Sequence, residues 1–309
     1  MALTDTLVSA WDTLNLSSAT LSSLARLKFG QPTSIQQVAI PAILDGHDII
    51  GKAPTGSGKT LAYGLPIYEH YLKTSFSQSS KEGKADNRNF PPMALILSPT
   101  RELAHQLSAH LTELCSEPNS PAPTIATVTG GLSVHKQQRF LAKADIVIGT
   151  PGRLWEVING SAELSKSLRS IKFLVVDEAD RLLSEGHFKE VEEILRILDR
   201  GDETIEDEPE DDIKTLYGKQ QRQTLVFSAT FHRDLQQKLA GKGKSFGGDL
   251  MDKGESMEYL LKKLNFREEK PQFIDVNPVS QMALGLKEGI VECAGTDKVR
   301  PQWPFIQPC

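Results

Sequence analysis

Short apolar runs, rich in β-branched residues, recur along this chain between segments with helical periodicity. The runs are DII at 48, ALILS at 94, TIATVT at 124, DIVIGT at 145, KFLVVD at 172 and QTLVFSAT at 223. Runs of this length that are apolar throughout, with no regular polar alternation, are typical of strands buried on both faces of a parallel sheet. The pattern therefore predicts six strands.

Helical patterns lie between these runs. They are TSIQQVAIPAIL from 33, TRELAHQLSAHLTELC from 100, SVHKQQRFLAK from 133 and HFKEVEEILRIL from 187. Strands that alternate with helices predict an α/β fold built on a parallel sheet.

Three segments interrupt this alternation. Residues 75–92 are rich in serine and charge without an apolar period, which predicts a flexible insertion. Residues 199–215 hold an acidic run whose carboxylates repel each other and cannot all be buried, so we interpret it as a solvated loop. A metal site is the alternative, although the run lacks the spacing and central glycine of a calcium loop. Residues 241–271 begin glycine-rich and end in SMEYLLKKLNF, which predicts a short amphipathic helix in a mobile excursion.

Composition narrows the class of protein. With 309 residues, 39% hydrophobic and 24% charged, the chain has the composition of a globular protein. Its net charge of -5 argues against coating of nucleic acid by charge alone, so any nucleic-acid site must be local. The chain has no transmembrane run and no basic leader, so neither a membrane nor secretion is expected. Its three cysteines are widely separated, which favours reduced thiols and no zinc site.

A polar motif follows each predicted strand. In chain order these motifs are APTGSGKT, PTREL, TGG, TPGR, DEAD and SAT. In open α/β sheets the ligand lies beyond the carboxyl ends of the strands, so the six motifs are expected to converge on one edge. Each motif on its own is also compatible with a turn or a helix cap.

The segment APTGSGKT, residues 53–60, has the character of a phosphate-binding loop. Gly56 and Gly58 expose backbone N–H groups, and a helix that begins near Lys59 directs its positive end to the same place. Lys59 can reach the β and γ phosphates, and the Thr60 hydroxyl can hold magnesium. The general motif requires glycine where this chain has Ala53, so a glycine-rich turn before a helix is the alternative.

Two carboxylates, Asp177 and Glu178, follow the predicted strand KFLVVD. An aspartate there can hold magnesium through water, and the adjacent glutamate can orient and deprotonate an attacking water. This is the chemistry of a hydrolase. The alternative is an acidic helix start, which the helix dipole favours.

Taken together, these motifs resemble the DEAD-box family of ATP-dependent RNA helicases. The family tetrapeptide stands at 177–180, and Ala53 is normal in this family. The other matching segments are APTGSGKT (53–60), PTRELA (99–104), the pair Gly130–Gly131, TPGR (150–153), SAT (228–230) and the adenine motif FGQPTSIQ (29–36), preceded by an isolated Trp11. Lys28 and Ser34 depart from the glycine and proline that the family usually has.

The resemblance implies a site for ATP and Mg²⁺. Its catalytic residues would be Lys59, Asp177 and Glu178, with Thr60 and Asp177 on magnesium, largely through water. Gln36 would recognise adenine, because a carboxamide can pair with N6 and N7 at once. The full set of implied ATP-binding residues is Trp11, Phe29, Thr33, Gln36, Ala53, Pro54, Thr55, Gly56, Ser57, Gly58, Lys59 and Thr60.

The resemblance also implies a site for single-stranded RNA, with contacts to the RNA backbone rather than to base edges. The implied RNA-binding residues are Pro99, Thr100, Arg101, Gly130, Gly131, Thr150, Pro151, Gly152 and Arg153. A last group of residues would couple the nucleotide-bound state to RNA binding. It consists of Asp180, Ser228, Ala229 and Thr230.

In domain terms, the resemblance implies a RecA-like parallel sheet flanked by helices over residues 29–280, with the three insertions named above. Residues 1–28 would flank the adenine motif, and residues 281–309 would be a remnant of the interdomain linker with an atypical tail. No helicase motif beyond SAT occurs in the chain, so the second RecA-like domain of the family is expected to be absent and turnover and unwinding to be impaired.

Two longer segments, at 33–67 and 273–293, resemble the maintenance-of-killer subgroup of nucleolar helicases. This implies a nuclear, nucleolar protein in large ribosomal subunit assembly, monomeric, with pre-ribosomal RNA and proteins of the pre-ribosomal particle as partners. Two alternatives stay open: a nucleotide- and RNA-binding module without turnover, and an unrelated phosphate-loop ATPase. The adenine motif and SAT argue against the latter.

Overall fold

A single parallel sheet forms the centre of the molecule. The computed structural model describes residues 8–79, 91–118, 120–184, 188–199, 222–231 and 253–276. Within these residues the strands are β1 Ile49–Lys52, β2 Ala94–Leu97, β3 Ile125–Val128, β4 Ile146–Gly149, β5 Phe173–Val176, β6 Gln223–Ser228 and β7 Gln272–Asp275. All pairings are parallel, and the order is β3-β4-β2-β5-β6-β1-β7.

Helices connect the strands and cover the sheet. A 3-10 helix, Ser9–Leu14, comes first. The α-helices are α1 Ser18–Arg26, α2 Ser34–Leu44, α3 Lys59–Ser79, α4 Arg101–Leu114, α5 Val134–Leu141, α6 Pro151–Asn159, α7 Ala162–Leu168, α8 Ala179–Ser184, α9 Phe188–Asp199 and α10 Lys253–Lys263. None of the helices in the described ranges is both long enough and apolar enough to cross a membrane.

The apolar runs are explained by a core on each face of the sheet. Because successive strand residues point to opposite faces, Ile49 and Leu225 enter one hydrophobic cluster while Ile50 and Val226 enter the other. A strand covered on both sides has no solvent-facing positions, and its sequence therefore shows no polar alternation.

The parallel α/β sheet predicted from the sequence is confirmed, with one strand more than predicted. Strand β7 was not predicted, because it lies at the sheet edge beside β1 and only Ile274 among its residues is buried. Its sequence, QFID, mixes polar and apolar residues and therefore lacks the continuous apolar run of a buried strand.

The predicted insertions are shorter than expected where the structure describes them. Helix α3 continues to Ser79, so the first residues of the segment 75–92 are helical rather than irregular. The part of that segment at 80–90 and the acidic run at 200–221 lie outside the described residues. Asp199, which begins the predicted acidic loop, ends α9 and forms an ion pair of 2.6 Å with Arg222.

The expected mobile excursion at 241–271 contains the predicted helix, but that helix is packed against the protein. Leu260, Leu261 and Leu264 are buried in one of the two core clusters. The expectation of mobility is therefore wrong for this part, while 241–252 lies outside the described residues.

A buried carboxylate fixes the chain that leads from α10 to β7. Asp48 has no exposed surface and accepts hydrogen bonds from the backbone N–H groups of Thr224 (2.7 Å), Glu268 (3.0 Å) and Arg267. Burial raises the pKa of Asp48, and the backbone donors oppose that rise. The start of β1, strand β6 and the segment between α10 and β7 are thereby joined at the amino ends of the strands, opposite the carboxyl ends that carry the motifs.

Truncation of a buried leucine on α10 tests whether this helix is part of the folded core. We expect Leu260→Ala to lower the free energy of unfolding by about 2 to 5 kcal/mol, because it removes a fully buried side chain and leaves a cavity. Lys262→Ala on the same helix is the control, since its side chain is 72% exposed. Equal denaturant midpoints for the two variants would contradict the docking of α10.

Candidate functional site

The loop between β1 and α3 is held in shape by two glycines in left-handed backbone conformations. Gly56 has φ 80° and Gly58 has φ 92°, values that favour glycine. A Cβ at Gly58 would lie 2.3 Å from Nε2 of Gln36, so close packing also requires glycine there. A Cβ at Gly56 would meet nothing within 4 Å, so the backbone at Gly56 faces open space.

Lys59, at the start of α3, holds its charge inside the protein. Its Nζ is 2.9 Å from the carbonyl oxygen of Ala53 and 2.9 Å from Oε1 of Glu178. The side chain is only 5% exposed. The nearby Ser57 hydroxyl is buried and has no hydrogen-bond partner within the described ranges. With the free N–H groups of the first helical turn, these donors match the oxygens of a phosphate.

The acidic pair lies at the carboxyl end of β5. Oδ2 of Asp177 accepts a hydrogen bond of 3.0 Å from the Tyr63 hydroxyl, and Oδ1 accepts one of 3.0 Å from the backbone N–H of Glu178. Burial, followed by the charge of Glu178, raises the pKa of Asp177 to about 6. Glu178 has φ 48°, a strained value for a residue with a side chain.

The oxygens at this point fit a magnesium ion. Asp177 accepts a hydrogen bond from the Tyr63 hydroxyl, and Thr60 lies one turn before Tyr63 on α3, so the site offers two hard oxygen donors. Mg²⁺ is usually bound by one or two protein oxygens together with waters and phosphates, and Thr60 and Asp177 supply side-chain oxygens of that kind.

The predicted adenine motif packs directly on the loop. The Gln36 side chain is buried; its Oε1 accepts from the backbone N–H of Thr33 at 2.8 Å, and its Nε2 donates to the carbonyl oxygen of Gly58 at 3.0 Å. Pairing with adenine would therefore replace contacts that Gln36 makes inside the protein.

The two aromatic residues of the predicted ATP set occupy different environments. Phe29 is 42% exposed, whereas Trp11 has no exposed surface. Trp11 Nε1 donates to the carbonyl oxygen of Phe29 at 2.8 Å. Trp11 thus supports the motif from within the core, whereas the exposed ring of Phe29 is accessible to a ligand; the ATP-binding role of both residues stays a prediction.

The SAT segment contacts the acidic motif through Asp180. The backbone N–H and the hydroxyl of Thr230 donate to Oδ2 of Asp180 at 3.0 and 2.6 Å, and the backbone N–H of Asp180 donates to Oγ of Ser228 at 3.3 Å. The end of β6, with Ala229 between the two side chains, is thereby joined to α8. The coupling role of these residues stays a prediction.

The predicted RNA residues lie at the ends of β2, β3 and β4. Thr100 caps α4 by accepting from the backbone N–H of Leu103 at 3.3 Å. The guanidinium of Arg101 lies beside the glycine pair, because a Cβ at Gly131 would be 3.2 Å from Arg101 Nη2. Thr150 and Pro151 begin α6, and Pro99 and Gly152 complete the set.

Arg153 makes three contacts within the protein, and its RNA-binding role stays a prediction. Its Nε donates to Oε1 of Gln137 at 2.6 Å, its Nη1 pairs with Glu156 at 2.5 Å, and its Nη2 donates to the carbonyl oxygen of Leu132. Gln137 in turn donates to the carbonyl oxygen of Thr129 at 2.6 Å. Arg153 therefore stabilises the loop after β3 through its hydrogen bonds to Gln137 and Leu132, and its charge is paired with Glu156.

Two residues of this site were missed by the sequence analysis. Tyr63 reads as one more aromatic residue in an apolar helix, and Gln137 reads as a polar residue in the middle of α5. Neither position carries a motif, and only the packing of distant segments brings Tyr63 to Asp177 and Gln137 to Arg153.

The parallel sheet, the glycine loop before α3 and the acidic pair at the neighbouring carboxyl end define a RecA-like α/β domain with a phosphate loop. The profile of the DEAD/DEAH box helicase family matches residues 33–238, about two thirds of the chain. The chain belongs to this family.

Similar proteins agree with that assignment. The chain is 64% identical to ATP-dependent RNA helicase mak5 of Aspergillus terreus and 62% identical to that of Aspergillus clavatus, over 94% of its own length. It spans 38% of the length of each of these relatives.

Solved structures agree on the fold. The chain is similar to a DEAD box protein from Methanococcus jannaschii, with a TM-score of 0.57 and 29% identity over 87% of this chain and 56% of the other. A hypothetical ATP-dependent RNA helicase from Sulfolobus tokodaii, at 22% identity and TM-score 0.56 over 84% of this chain and 57% of the other, shows the same fold.

The raised pKa of Asp177 predicts a pH-dependent cost of folding. The ordinary pKa of 3.8 describes the unfolded chain, so the folded state binds the proton more tightly and wild-type stability falls as pH rises from about 4 through 6. We expect Asp177→Asn to stabilise the domain without ligands by about 1 to 3 kcal/mol at pH 7.5. At pH 4 the gain should be absent. Denaturant unfolding of both proteins across this range measures the difference, and a gain independent of pH would contradict the assignment.

Proposed function

We propose that this chain is the domain of an ATP-dependent RNA helicase that binds ATP with Mg²⁺ and holds single-stranded RNA by its backbone. The observation that carries the proposal is the contact between Lys59 and Glu178. In this ion pair, Nζ of Lys59 in the phosphate loop lies 2.9 Å from Oε1 of Glu178, the carboxylate predicted to activate water.

ATP binding would begin with an exchange of partners at the loop. The phosphates would take Lys59 from Glu178 and from the carbonyl oxygen of Ala53, and they would reach the buried Ser57 hydroxyl. Once released, the Glu178 carboxylate is available to orient and deprotonate a water molecule. Magnesium, held by Thr60 and Asp177, would supply charge neutralisation at the phosphates.

Adenine selection would use Gln36 and Phe29. Because Gln36 contacts the carbonyl oxygen of Gly58, a base that engages its carboxamide also changes the loop that holds the phosphates. The exposed ring of Phe29 offers a stacking surface beside it. These contacts support a preference for ATP over GTP, because guanine presents a different donor and acceptor pattern.

RNA would lie along the ends of β2, β3 and β4. Arg101 supplies charge there, Thr150 a hydroxyl, and the glycine pair Gly130–Gly131 open backbone N–H groups. Contacts of this kind read the sugar-phosphate backbone and give little sequence preference. The chain's net negative charge agrees with a confined site.

We infer the biological setting from the resemblance to the maintenance-of-killer subgroup. The identity of 60–64% to the named relatives over nearly the whole chain supports the same role here as that of the maintenance-of-killer subgroup, in assembly of the large ribosomal subunit and rRNA processing. The corresponding location is the nucleolus, with pre-ribosomal RNA as the substrate, pre-ribosomal proteins as partners and a monomeric domain.

The nucleotide part of the proposal is tested with two variants at the ion pair. We expect Glu178→Gln to bind ATP at least as tightly as the wild type but to lose RNA-stimulated hydrolysis, because only the water-activating group is removed and Lys59 is released. Lys59→Ala should bind ATP at least tenfold more weakly, since it removes the charge on the β and γ phosphates. Fluorescent-nucleotide titration and phosphate release, with and without single-stranded RNA, measure both effects.

The same assay separates the enzyme from a binding module that does not turn over. A wild-type chain that binds ATP and RNA without any RNA-stimulated phosphate release would favour the module. Loss of ATP binding in Glu178→Gln would contradict the role given to Glu178, and unchanged affinity in Lys59→Ala would contradict the phosphate loop.

The RNA part of the proposal is tested at Arg101. We expect Arg101→Ala to weaken binding of single-stranded RNA and to reduce the slope of log affinity against log salt by about 0.7, the value for loss of one phosphate contact on a single strand. Arg26→Ala is the matched control, because Arg26 carries the same charge but pairs with Glu117 and the carbonyl oxygen of Glu113 at the opposite end of α4. Anisotropy titrations at several salt concentrations provide the measurement. Equal slopes for the two variants would contradict an RNA contact at Arg101.

A further inference from the structure

Tyr63 lies at the centre of the proposed magnesium site although no motif marks it. The side chain has no exposed surface, and its hydroxyl donates to Oδ2 of Asp177 at 3.0 Å. Thr60 lies one turn before Tyr63 on the same helix, α3. One buried phenol thus ties the aspartate that would hold magnesium to the helix that carries Thr60.

The position of Tyr63 is fixed by its helix and by the core. Residues 60 and 63 lie one turn apart on α3, so their side chains share a face. The ring packs on Phe227 with centroids 5.4 Å apart and an interplanar angle of 48°. Phe227 lies in β6 directly before Ser228 and is itself fully buried. The hydroxyl therefore has little freedom to move away from Asp177.

The Asp177 carboxylate has two donors, one on each oxygen. Oδ1 accepts from the backbone N–H of Glu178, and Oδ2 accepts from Tyr63. The backbone donor belongs to the next residue of the same chain segment and cannot by itself fix rotation of the carboxylate relative to α3. The hydroxyl of Tyr63 is the link that ties this carboxylate to the helix that carries Thr60.

We propose that Tyr63 is a positioning residue that holds the Asp177 carboxylate, relative to α3 and its Thr60, in the orientation that receives the Mg²⁺–nucleotide. The inference rests on the proposed function for the metal, and it extends that function to a side chain that does not touch the nucleotide. A phenylalanine at this position would keep the ring and its packing but would remove the hydrogen bond that ties Asp177 to α3.

The experiment compares Tyr63→Phe with the wild type by titrating Mg²⁺ into the protein mixed with a fluorescent ADP analogue. We expect the variant to need about 3- to 10-fold more Mg²⁺ for half-maximal nucleotide binding, which corresponds to the net loss of one typical intramolecular hydrogen bond. Nucleotide affinity in excess EDTA should be unchanged, because the ring, the loop and Lys59 are retained. The thermal unfolding midpoint of each protein is measured alongside.

Tyr68→Phe is the matched control. Tyr68 lies on the same helix, is fully buried and, within the described ranges, has a hydroxyl with no hydrogen-bond partner. Its removal deletes the same atom from the same helix without touching Thr60 or Asp177. We expect the control to have the wild-type Mg²⁺ requirement.

Each outcome distinguishes one claim. If the wild type binds the ADP analogue equally well with Mg²⁺ and with EDTA, the proposed magnesium site is wrong, and the role of Tyr63 falls with it. If the wild type requires Mg²⁺ and Tyr63→Phe has the same requirement, the positioning role alone is overturned. Equal losses of affinity with Mg²⁺ and with EDTA would show that the hydroxyl only supports the fold, which also overturns it.

Discussion

The parallel register of β5, β6 and β1 is the constraint on which the site depends. Lys52 pairs with Ser228, and Val176 pairs with Val226, so the residues that follow these strands leave the sheet at neighbouring points of one edge. The phosphate loop, the acidic pair and the SAT segment are separated by up to 175 positions in sequence. The parallel strand register alone is enough to bring them together at this edge. A shift of one residue in any of these pairings would also exchange the two core faces of that strand.

At this edge the protein supplies its own partners for groups that would otherwise be buried and unsatisfied. Lys59 pairs with Glu178, Gln36 contacts the loop through Gly58, and Arg153 is held by Gln137 and Glu156. A buried charge without a partner is strongly unfavourable, so the ligand-free fold requires such contacts. A ligand that binds Lys59, Gln36 or Arg153 must therefore displace the protein group that each side chain already contacts. Specificity for phosphate, adenine or RNA then depends on how well the ligand atoms substitute for that group.

Sequence patterns predicted the strands of the central sheet and the motifs after them, because a strand covered on both faces leaves a continuous apolar run and the next residues must turn. They did not predict β7, whose edge position leaves most of its residues partly exposed, nor the burial of α10. At the site, the loop residues could be named from their local chemistry. Tyr63 could not, because its contact is with Asp177, 114 positions away, and the partners of Arg153 could not be predicted either, because Gln137 and Leu132 carry no motif.

The site retains an arrangement that is unfavourable for folding. Asp177 is buried beside Glu178, and its raised pKa records that the ionised form is disfavoured in the folded protein without a cation. Glu178 adds a left-handed backbone conformation to the same turn. The magnesium ion proposed for this site would remove the electrostatic part of this cost, so the burial that weakens the ligand-free domain would strengthen metal binding. Tyr63 cannot neutralise the carboxylate, but in the role proposed above this neutral donor would fix the orientation of the carboxylate before the cation binds.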